Sequence, residues 1–344
     1  MNINEIEPTT QNVNENIFEE DLSIIIDEIV NLYFEEANKG KEEIVRKQFV
    51  IDYFNKRNIN LQEIYNWLLK NQNNSNSIYL FGYFNYHGIW TRVNIIKAIN
   101  LYQKAEELEN NVAQFDLSYI YLHGKGVEKD HNKAFKLSKK LAERGFSSGI
   151  NRLGYCYDCG IGTQVDMQMA FELYNKAAGM GNSQGISNLG YCYDCGNGTN
   201  INIKKAFELY QKAADLGNGF GINNLGNCYE HGNGTVVNKQ KAFELYQKAA
   251  NIGNPYGLYN LGHCYEASTG TDINEHKAFE LYQKAANLGH SLAQYNVASM
   301  YEYGNGIKEN MEQAIYWYKN AAKQGVQEAT FKLEELLDLQ FDDT

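Results

Sequence analysis

Proline and long apolar runs are both scarce in this sequence. Only 2 of its 344 residues are Pro, which favours a mostly helical chain because proline breaks helix interiors. No run of ~18 apolar residues occurs, so we expect no membrane span. Residues 1–16 lack the basic and apolar leader of a signal or transit peptide, so we expect a cytoplasmic protein.

Positive charge is scarce as well. The formal net charge is -11, and residues 1–43 alone carry 12 acidic and 2 basic side chains. The rest of the chain is near neutral and has no basic stripe, so we expect no nucleic-acid partner. An acidic head could attract a basic partner, but a solvated segment is the commoner outcome, and we predict that residues 1–16 are disordered.

A strict repeat is what the sequence does contain. Alanine recurs every 36 residues, without insertion or deletion, at Ala98, Ala134, Ala170, Ala206, Ala242, Ala278 and Ala314. The seven copies run from about Ser75 to Val326. This period is typical of stacked helix pairs.

Each copy predicts two helices. In residues 183–218, apolar side chains at three- and four-residue spacing indicate one helix before Gly196 and a second between Asn202 and Gly217. The second helix has an Asn or Asp N-cap in every copy, at Asn94, Asp130, Asp166, Asn202, Asn238, Asn274 and Asn310. We therefore predict an all-α protein, a right-handed α-solenoid of seven antiparallel helix pairs.

The repeated residues resemble a known family. The signature is carried by Leu189, Gly190, Tyr193, Gly196, Gly198, Lys205, Ala206, Tyr210, Lys212, Ala213, Ala214 and Gly217. This pattern is similar to the Sel-one-like repeat (SLR) family, a relative of the tetratricopeptide repeats. The first copy departs from it, since Asn85 takes the Tyr position and Trp90 takes the second Gly position.

Other segments flank the repeats. We expect an N-terminal helical segment at 17–72, the repeats at 75–326, and a capping helix with a tail at 327–344. Within the first segment we predict helices at 22–37 and 42–55, a third capped by Asn60, and a polar hinge at 71–77. This segment resembles the helical stretch beside SLR arrays in some fungal proteins that carry a kinase domain. No kinase motif is present here, so that resemblance implies a protein kinase only as a partner in trans.

The resemblance also implies a binding surface. In related tetratricopeptide solenoids the first helix of each pair lines the concave face, where partners bind. Carried over to this sequence, that face holds Tyr155, Asp158, Tyr191, Asp194, Asn227, Glu230, His263, Glu266 and Glu302. A further row expected to be exposed is Asn151, Ser187, Asn223, Tyr259 and Tyr295. An acidic groove flanked by tyrosines favours a peptide with Lys or Arg, although these side chains could also merely solvate the groove.

Two C-x-x-C pairs, Cys156 with Cys159 and Cys192 with Cys195, suggest zinc or redox chemistry. They hold the same positions in adjacent repeats, whose helix axes should be ~8–10 Å apart, whereas zinc–sulfur bonds are ~2.3 Å long. The next copies have His231 and Ala267 in place of the second cysteine. We interpret the cysteines as packing residues and expect no metal and no cofactor.

The sequence is compatible with three functions. The first is a non-catalytic scaffold or adaptor that binds other proteins with basic segments on the concave face, with signalling as one setting. The alternative is a hydrolase or thiol-redox enzyme that uses the C-x-x-C cysteines. The third is a homo-oligomer assembled through the apolar helix around residues 22–34.

Overall fold

The structure, a computed structural model, describes residues 19–342. Within that range the chain forms 18 α-helices and no β-strand, which confirms the predicted all-α fold of stacked helix pairs. The predicted disordered head, residues 1–16, lies outside the described residues. None of the described helices is long and apolar enough to cross a lipid bilayer.

Three helices precede the repeats, seven pairs form them, and one helix follows. The bounds are α1 Glu19–Asn38, α2 Glu43–Lys56, α3 Leu61–Lys70, α4 Ser75–His87, α5 Ile95–Glu107, α6 Asn111–His123, α7 His131–Glu143, α8 Ser147–Cys159, α9 Met167–Gly179, α10 Ser183–Cys195, α11 Ile203–Asp215, α12 Gly219–His231, α13 Lys239–Asn251, α14 Pro255–Ala267, α15 Glu275–Asn287, α16 Ser291–Tyr303, α17 Met311–Lys323 and α18 Gln327–Asp342.

The helix ends follow the local signals in the sequence. In all seven repeats the predicted Asn or Asp caps the second helix, its side-chain oxygen accepting a bond from the amide three residues on at 2.9–3.1 Å. Asn60 likewise caps α3, through a 2.9 Å bond from the Gln62 amide. The expected hinge at 71–77 is shorter than predicted, because Asn74 caps α4 and Ser77 is already buried in its first turn.

The chain divides into two compact units. The first contains Leu32 and the residues before it, together with Tyr53–Ala113, and so includes α3, α4 and α5. Its core is aromatic and aliphatic: the rings of Phe54 and Phe84 meet edge to face with centroids 6.1 Å apart, and Ile64 is fully buried. The second unit contains Tyr33–Asp52 and the chain from Gln114 onward, and so includes five complete repeats and α18.

Within a repeat of the second unit, a buried tyrosine of the second helix lies against a glycine of the first. A Cβ placed on Gly190 would lie 2.8 Å from the ring of Tyr210, and one on Gly226 would lie 2.7 Å from the ring of Tyr246. A methyl group does not fit at these distances without movement of the ring. The glycine therefore sets how closely the two helices of a repeat approach.

Neighbouring repeats pack through two further contacts. Phe171 of one repeat meets Tyr193 of the next edge to face, with centroids 5.5 Å apart and planes at 86°. In addition, a Cβ on Gly221 of α12 would lie 2.5 Å from the Cβ of Ala213 in α11, so the backbone of α12 packs directly against that alanine. Both contacts recur along the array, so that each repeat is stabilised chiefly by its neighbours.

A valine at Gly190 tests the glycine–tyrosine contact. We expect Gly190→Val to lower the free energy of unfolding, measured by urea denaturation, by about 1–3 kcal/mol because the added side chain displaces the Tyr210 ring. Gly179→Val is the matched control, since Gly179 is exposed at the end of α9 with nothing within 4 Å of its Cβ position. The control should change stability by no more than about 0.5 kcal/mol. Equal losses in the two variants would contradict this packing.

Candidate functional site

The predicted surface residues lie on the first helices of the repeats, from α8 to α16. Tyr155, Tyr191 and His263 are exposed, and Asn227 is half-buried. The five acidic residues of this surface recur every 36 residues; they are Asp158, Asp194, Glu230, Glu266 and Glu302, and we call them the acidic row. Only Glu266 of the row is fully exposed, the others being half-buried.

Each member of the acidic row accepts a hydrogen bond from the buried tyrosine of its own repeat, 16 residues further along the chain. The hydroxyl–carboxylate distances are 3.2 Å for Tyr174 to Asp158, 3.4 Å for Tyr210 to Asp194, 2.7 Å for Tyr246 to Glu230, 2.7 Å for Tyr282 to Glu266 and 2.6 Å for Tyr318 to Glu302. Burial and the adjacent carboxylate both raise the pKa of Tyr246, so its hydroxyl stays protonated and donates. Each carboxylate of the acidic row is therefore hydrogen-bonded to a core tyrosine as well as lying at the surface.

Some carboxylates of the acidic row have both oxygens engaged within the protein. A carboxylate has two oxygens, and the tyrosine uses one of them. At Glu302 the other oxygen accepts a bond from Lys332 of α18 at 3.1 Å, and at Glu230 it lies 3.4 Å from Lys239. Although burial alone would raise the pKa of Glu302, the bonds from Tyr318 and Lys332 hold it below its ordinary value. Asp158, Asp194 and Glu266 are the members best placed to receive a partner.

A pocket of about 400 Å³ opens on this surface and is lined by residues of α10, α11 and α12. It brings together three of the predicted residues, Tyr191, Asp194 and Asn227, with His231 at its edge. The groups around it include a carboxylate, an amide oxygen and an exposed aromatic ring. That combination suits a primary ammonium or guanidinium group, through hydrogen bonds to the acceptors and contact with the ring face.

The row of Asn151, Ser187, Asn223, Tyr259 and Tyr295 was wrongly expected to be exposed. Its first three members are buried and the two tyrosines are half-buried. The asparagines bond across the contact between neighbouring first helices, whereas Tyr259 and Tyr295 pack on the buried tyrosine of the second helix in their own repeat. Asn188 donates to Asn151 at 3.0 Å, and Asn260 donates to Asn223 at 2.8 Å. The donors Asn188 and Asn260 lie 72 residues apart, which is twice the repeat spacing, so the periodicity of the sequence carries a signal for this contact.

The cysteines divide by burial. All six are free thiols; Cys159 and Cys195 are exposed, and the other four are buried. Burial raises the pKa of Cys156 to about 11 and that of Cys192 to about 12, so these thiols are protonated and weakly nucleophilic at neutral pH. Among residues 21–336, no three His, Cys, Asp or Glu side chains are grouped closely enough to hold a metal ion. The geometry gives the thiol-redox alternative no support.

Thiol labelling tests this division. At pH 7 we expect a maleimide to modify Cys159 and Cys195 in the native protein because both are exposed, with Cys159 the slower of the two because partial burial raises its pKa. The buried Cys228 and Cys264 should react only after unfolding, since burial raises the pKa of each to about 12. Mass spectrometry of the labelled peptides gives the result. Rapid native labelling at Cys228 would contradict the burial of that position.

Removal of one tyrosine hydroxyl tests the bond to the acidic row. We expect Tyr282→Phe to lower the free energy of unfolding by about 0.5–1.5 kcal/mol, because Glu266 loses its 2.7 Å donor. Tyr256→Phe is the control, since that tyrosine is exposed and its ring packs on Phe220 and His290. Urea denaturation should show almost no effect for the control. A Tyr282→Phe variant as stable as the unmodified chain would rule out a stabilising bond.

Comparison with known proteins agrees with the repeat architecture. Seven segments match the Sel1 repeat family, at 75–110, 111–146, 147–182, 183–218, 220–254, 255–290 and 291–326. Among curated protein sequences, none matches this chain.

Among solved structures, at least two are similar to this chain. A Sel1 repeat protein from Oxalobacter formigenes is 27% identical with a TM-score of 0.55, the match covering 71% of this chain and 96% of that one. A protective antigen of uropathogenic Escherichia coli that displays an SLR fold is 28% identical with a TM-score of 0.45, over 93% of this chain and 67% of that one. With seven matching segments that together span most of its length, the chain belongs to the Sel1 repeat family, whose members are generally scaffolds for protein–protein interaction.

Proposed function

We propose that this protein is a non-catalytic adaptor whose first helices bind a basic segment of a partner protein. The observation that carries the proposal is the acidic row, which presents a carboxylate every 36 residues on one helix face of successive repeats. A regular series of like charges suits a segment with several Lys or Arg residues better than it suits a single small molecule. Complementary charge of this kind raises the association rate and selects among partners.

The contacts available to such a segment differ along the row. Asp158, Asp194 and Glu266 each keep one oxygen for a partner, whereas Lys332 already bonds Glu302. At the centre, the pocket beside Asp194 would take one Lys or Arg side chain, with Tyr191 against its alkyl chain or charged end. Tyr155 and Tyr191 add apolar area that a partner would bury, and tyrosine is frequent among the residues that dominate interface energies.

The setting of this interaction is also part of the proposal. Six free thiols suit a reducing compartment, and the cytoplasm is the one we propose. The helical segment before the repeats resembles that of SLR proteins associated with kinase domains. A signalling role with a protein kinase as partner in trans is therefore the biological context that we propose.

Neutralisation of the row is the test. The variant combines three isosteric substitutions, Asp158→Asn, Asp194→Asn and Glu266→Gln. Each new side-chain amide still accepts the bond from the buried tyrosine, whereas a lysine would leave that hydroxyl without an acceptor. We expect the triple variant to bind a labelled peptide that alternates Lys with Ala at least about tenfold more weakly at low salt. Fluorescence anisotropy gives the affinity, and circular dichroism checks the fold.

The control variant removes the same number of charges from the same array. Glu208, Glu244 and Glu280 are exposed, lie on the second helices and share the repeat spacing. Their replacement by Gln should leave the peptide affinity nearly unchanged. Equal losses in both triple variants would show a general charge effect and contradict a site on the first helices.

A further inference from the structure

The turn between α1 and α2, residues 38–42, lies across the N-termini of α8, α10 and α12 within the second unit. We call it the clasp segment. The backbone carbonyl oxygen of Asn38 accepts one bond from the Ser147 hydroxyl at 2.5 Å and another from the side-chain amide of Asn182 at 2.9 Å. These bonds bring the C-terminal end of one helix onto the N-terminal ends of others, where the partial charges of the helix ends are opposite.

The next two residues dock on α10. The backbone amide of Ser183 donates to the carbonyl of Lys39 at 3.0 Å, and its hydroxyl donates to the carbonyl of Gly40 at 3.0 Å. Gly40 has φ of 77°, and a Cβ on it would lie 2.8 Å from the Ser183 amide nitrogen. Only glycine fits, because any side chain would both strain the backbone and collide with the end of α10.

Glu42 completes the contact on α12. Its carboxylate accepts a 2.7 Å bond from the Gly219 amide, and a Cβ on Gly219 would lie 2.6 Å from that carboxylate oxygen. Burial raises the pKa of Glu42, although the bond from Gly219 opposes the rise. The half-buried side chain of Glu42 thus gives up part of its hydration and accepts the bond from the Gly219 amide in return.

The surface beneath the clasp segment repeats. Ser147, Ser183 and Gly219 each begin a first helix and lie 36 residues apart. Asn38, Gly40 and Glu42 accept bonds at these successive helix ends, from the hydroxyls of Ser147 and Ser183 and from the backbone amide of Gly219. The next first helix begins with Pro255, which has no backbone N–H to donate at this position.

The clasp segment leaves two buried donors of this surface without an acceptor. Asn182, Asn218 and Asn254 all cap first helices through their side-chain oxygens, and all three are buried. The side-chain nitrogen of Asn182 bonds the clasp segment, but those of Asn218 and Asn254 have no hydrogen-bond partner among residues 19–342. The nitrogen of Asn254 lies 3.1 Å from the Cβ position of Gly219, beside the bound carboxylate of Glu42. A ligand that supplied oxygen atoms to these amides would fit the surface better than the clasp segment does.

We propose that these helix N-termini form a second protein-binding site, which receives a helix-ending turn of a partner with the pattern Gly, any residue, Asp or Glu. The clasp segment occupies this site as an internal ligand that the partner displaces. The site takes an acidic partner segment and lies at helix ends, and is therefore distinct in both chemistry and place from the acidic row.

A peptide supplied in trans tests the site. The receptor is the full chain with Gly40→Val, in which the clasp segment cannot dock, and the probe is a labelled peptide of residues 37–44. We expect saturable binding to this variant and at least about tenfold weaker binding to the unmodified chain, whose tethered segment competes at high effective concentration. The same peptide with Glu42→Ala should bind more weakly to the variant. Addition of Gly219→Val to the receptor should abolish binding, because its side chain fills the position of the carboxylate.

Hydrogen exchange provides the second measurement. The amides of Ser183 and Gly219 should exchange faster in the Gly40→Val chain, and the peptide should slow them again. If the Gly40→Val chain does not fold, the full chain with Glu42→Ala serves as the receptor instead. We expect this receptor to bind the peptide more tightly than the unmodified chain does. Equal binding to all folded receptors, or no binding to a folded variant with a released clasp segment, would overturn the proposal.

Matched cap variants separate a binding role from general stability. Serine is also a good N-cap, so Asn182→Ser and Asn218→Ser both keep the cap and remove the side-chain amide. Only Asn182→Ser removes a bond to the clasp segment. We expect faster exchange of the Ser183 amide in Asn182→Ser alone. The same change in both variants would contradict the specific contact.

Discussion

In five of the seven repeats, the contact between a glycine of the first helix and a buried tyrosine of the second sets the spacing of the two helices, and the other features of the array depend on it. The tyrosine ring occupies the space that a Cβ on the glycine would need. In the repeat of residues 111–146, Ser118 and Ser138 replace the glycine and the tyrosine together, as expected if the two positions share one volume. In the last repeat Ala298 takes the position of the glycine while Tyr318 is kept, and both are fully buried, so a single methyl group can be accommodated there.

The same tyrosine links the core to the surface. Its ring is buried, but its hydroxyl reaches the face of the first helix and donates to the acidic row. A buried contact that holds each repeat together therefore also fixes the position of a surface carboxylate. Because the repeat is strict, the carboxylates form a regular series, and the helix N-termini form a second regular series of donors. One array thus presents two ordered surfaces of opposite polarity, and the clasp segment occupies the second.

Much of this architecture could be predicted from the sequence because the information is local and periodic. The spacing of apolar residues and the caps at Asn202 and Asn238 define the helices without reference to tertiary structure. The phase of the acidic row follows from alignment of the repeats. Exposure was harder to predict, since Asn151 and Asn223 are polar yet buried between first helices. Polarity alone does not show which side of a helix meets the next repeat.

Neither local periodicity nor alignment of the repeats could predict the clasp segment. Residue 42 bonds an amide 177 positions further along the chain, and the segment itself has no periodicity to align with the repeats. The caps of the first helices carry a weaker sequence signal as well, because Asn182, Asn218 and Asn254 give way to Phe146 and His290 in other repeats. Contacts between distant segments depend on the three-dimensional arrangement that the repeats create.

Hydrogen exchange measured along the whole chain, with and without the alternating Lys and Ala peptide, tests most directly whether the first helices are the interaction surface. We expect the peptide to slow exchange in α8, α10, α12 and α14, which carry Asp158, Asp194, Glu230 and Glu266, and to leave α9, α11, α13 and α15 unchanged. Protection confined to the second helices, or spread evenly over both helices of each repeat, would contradict this expectation.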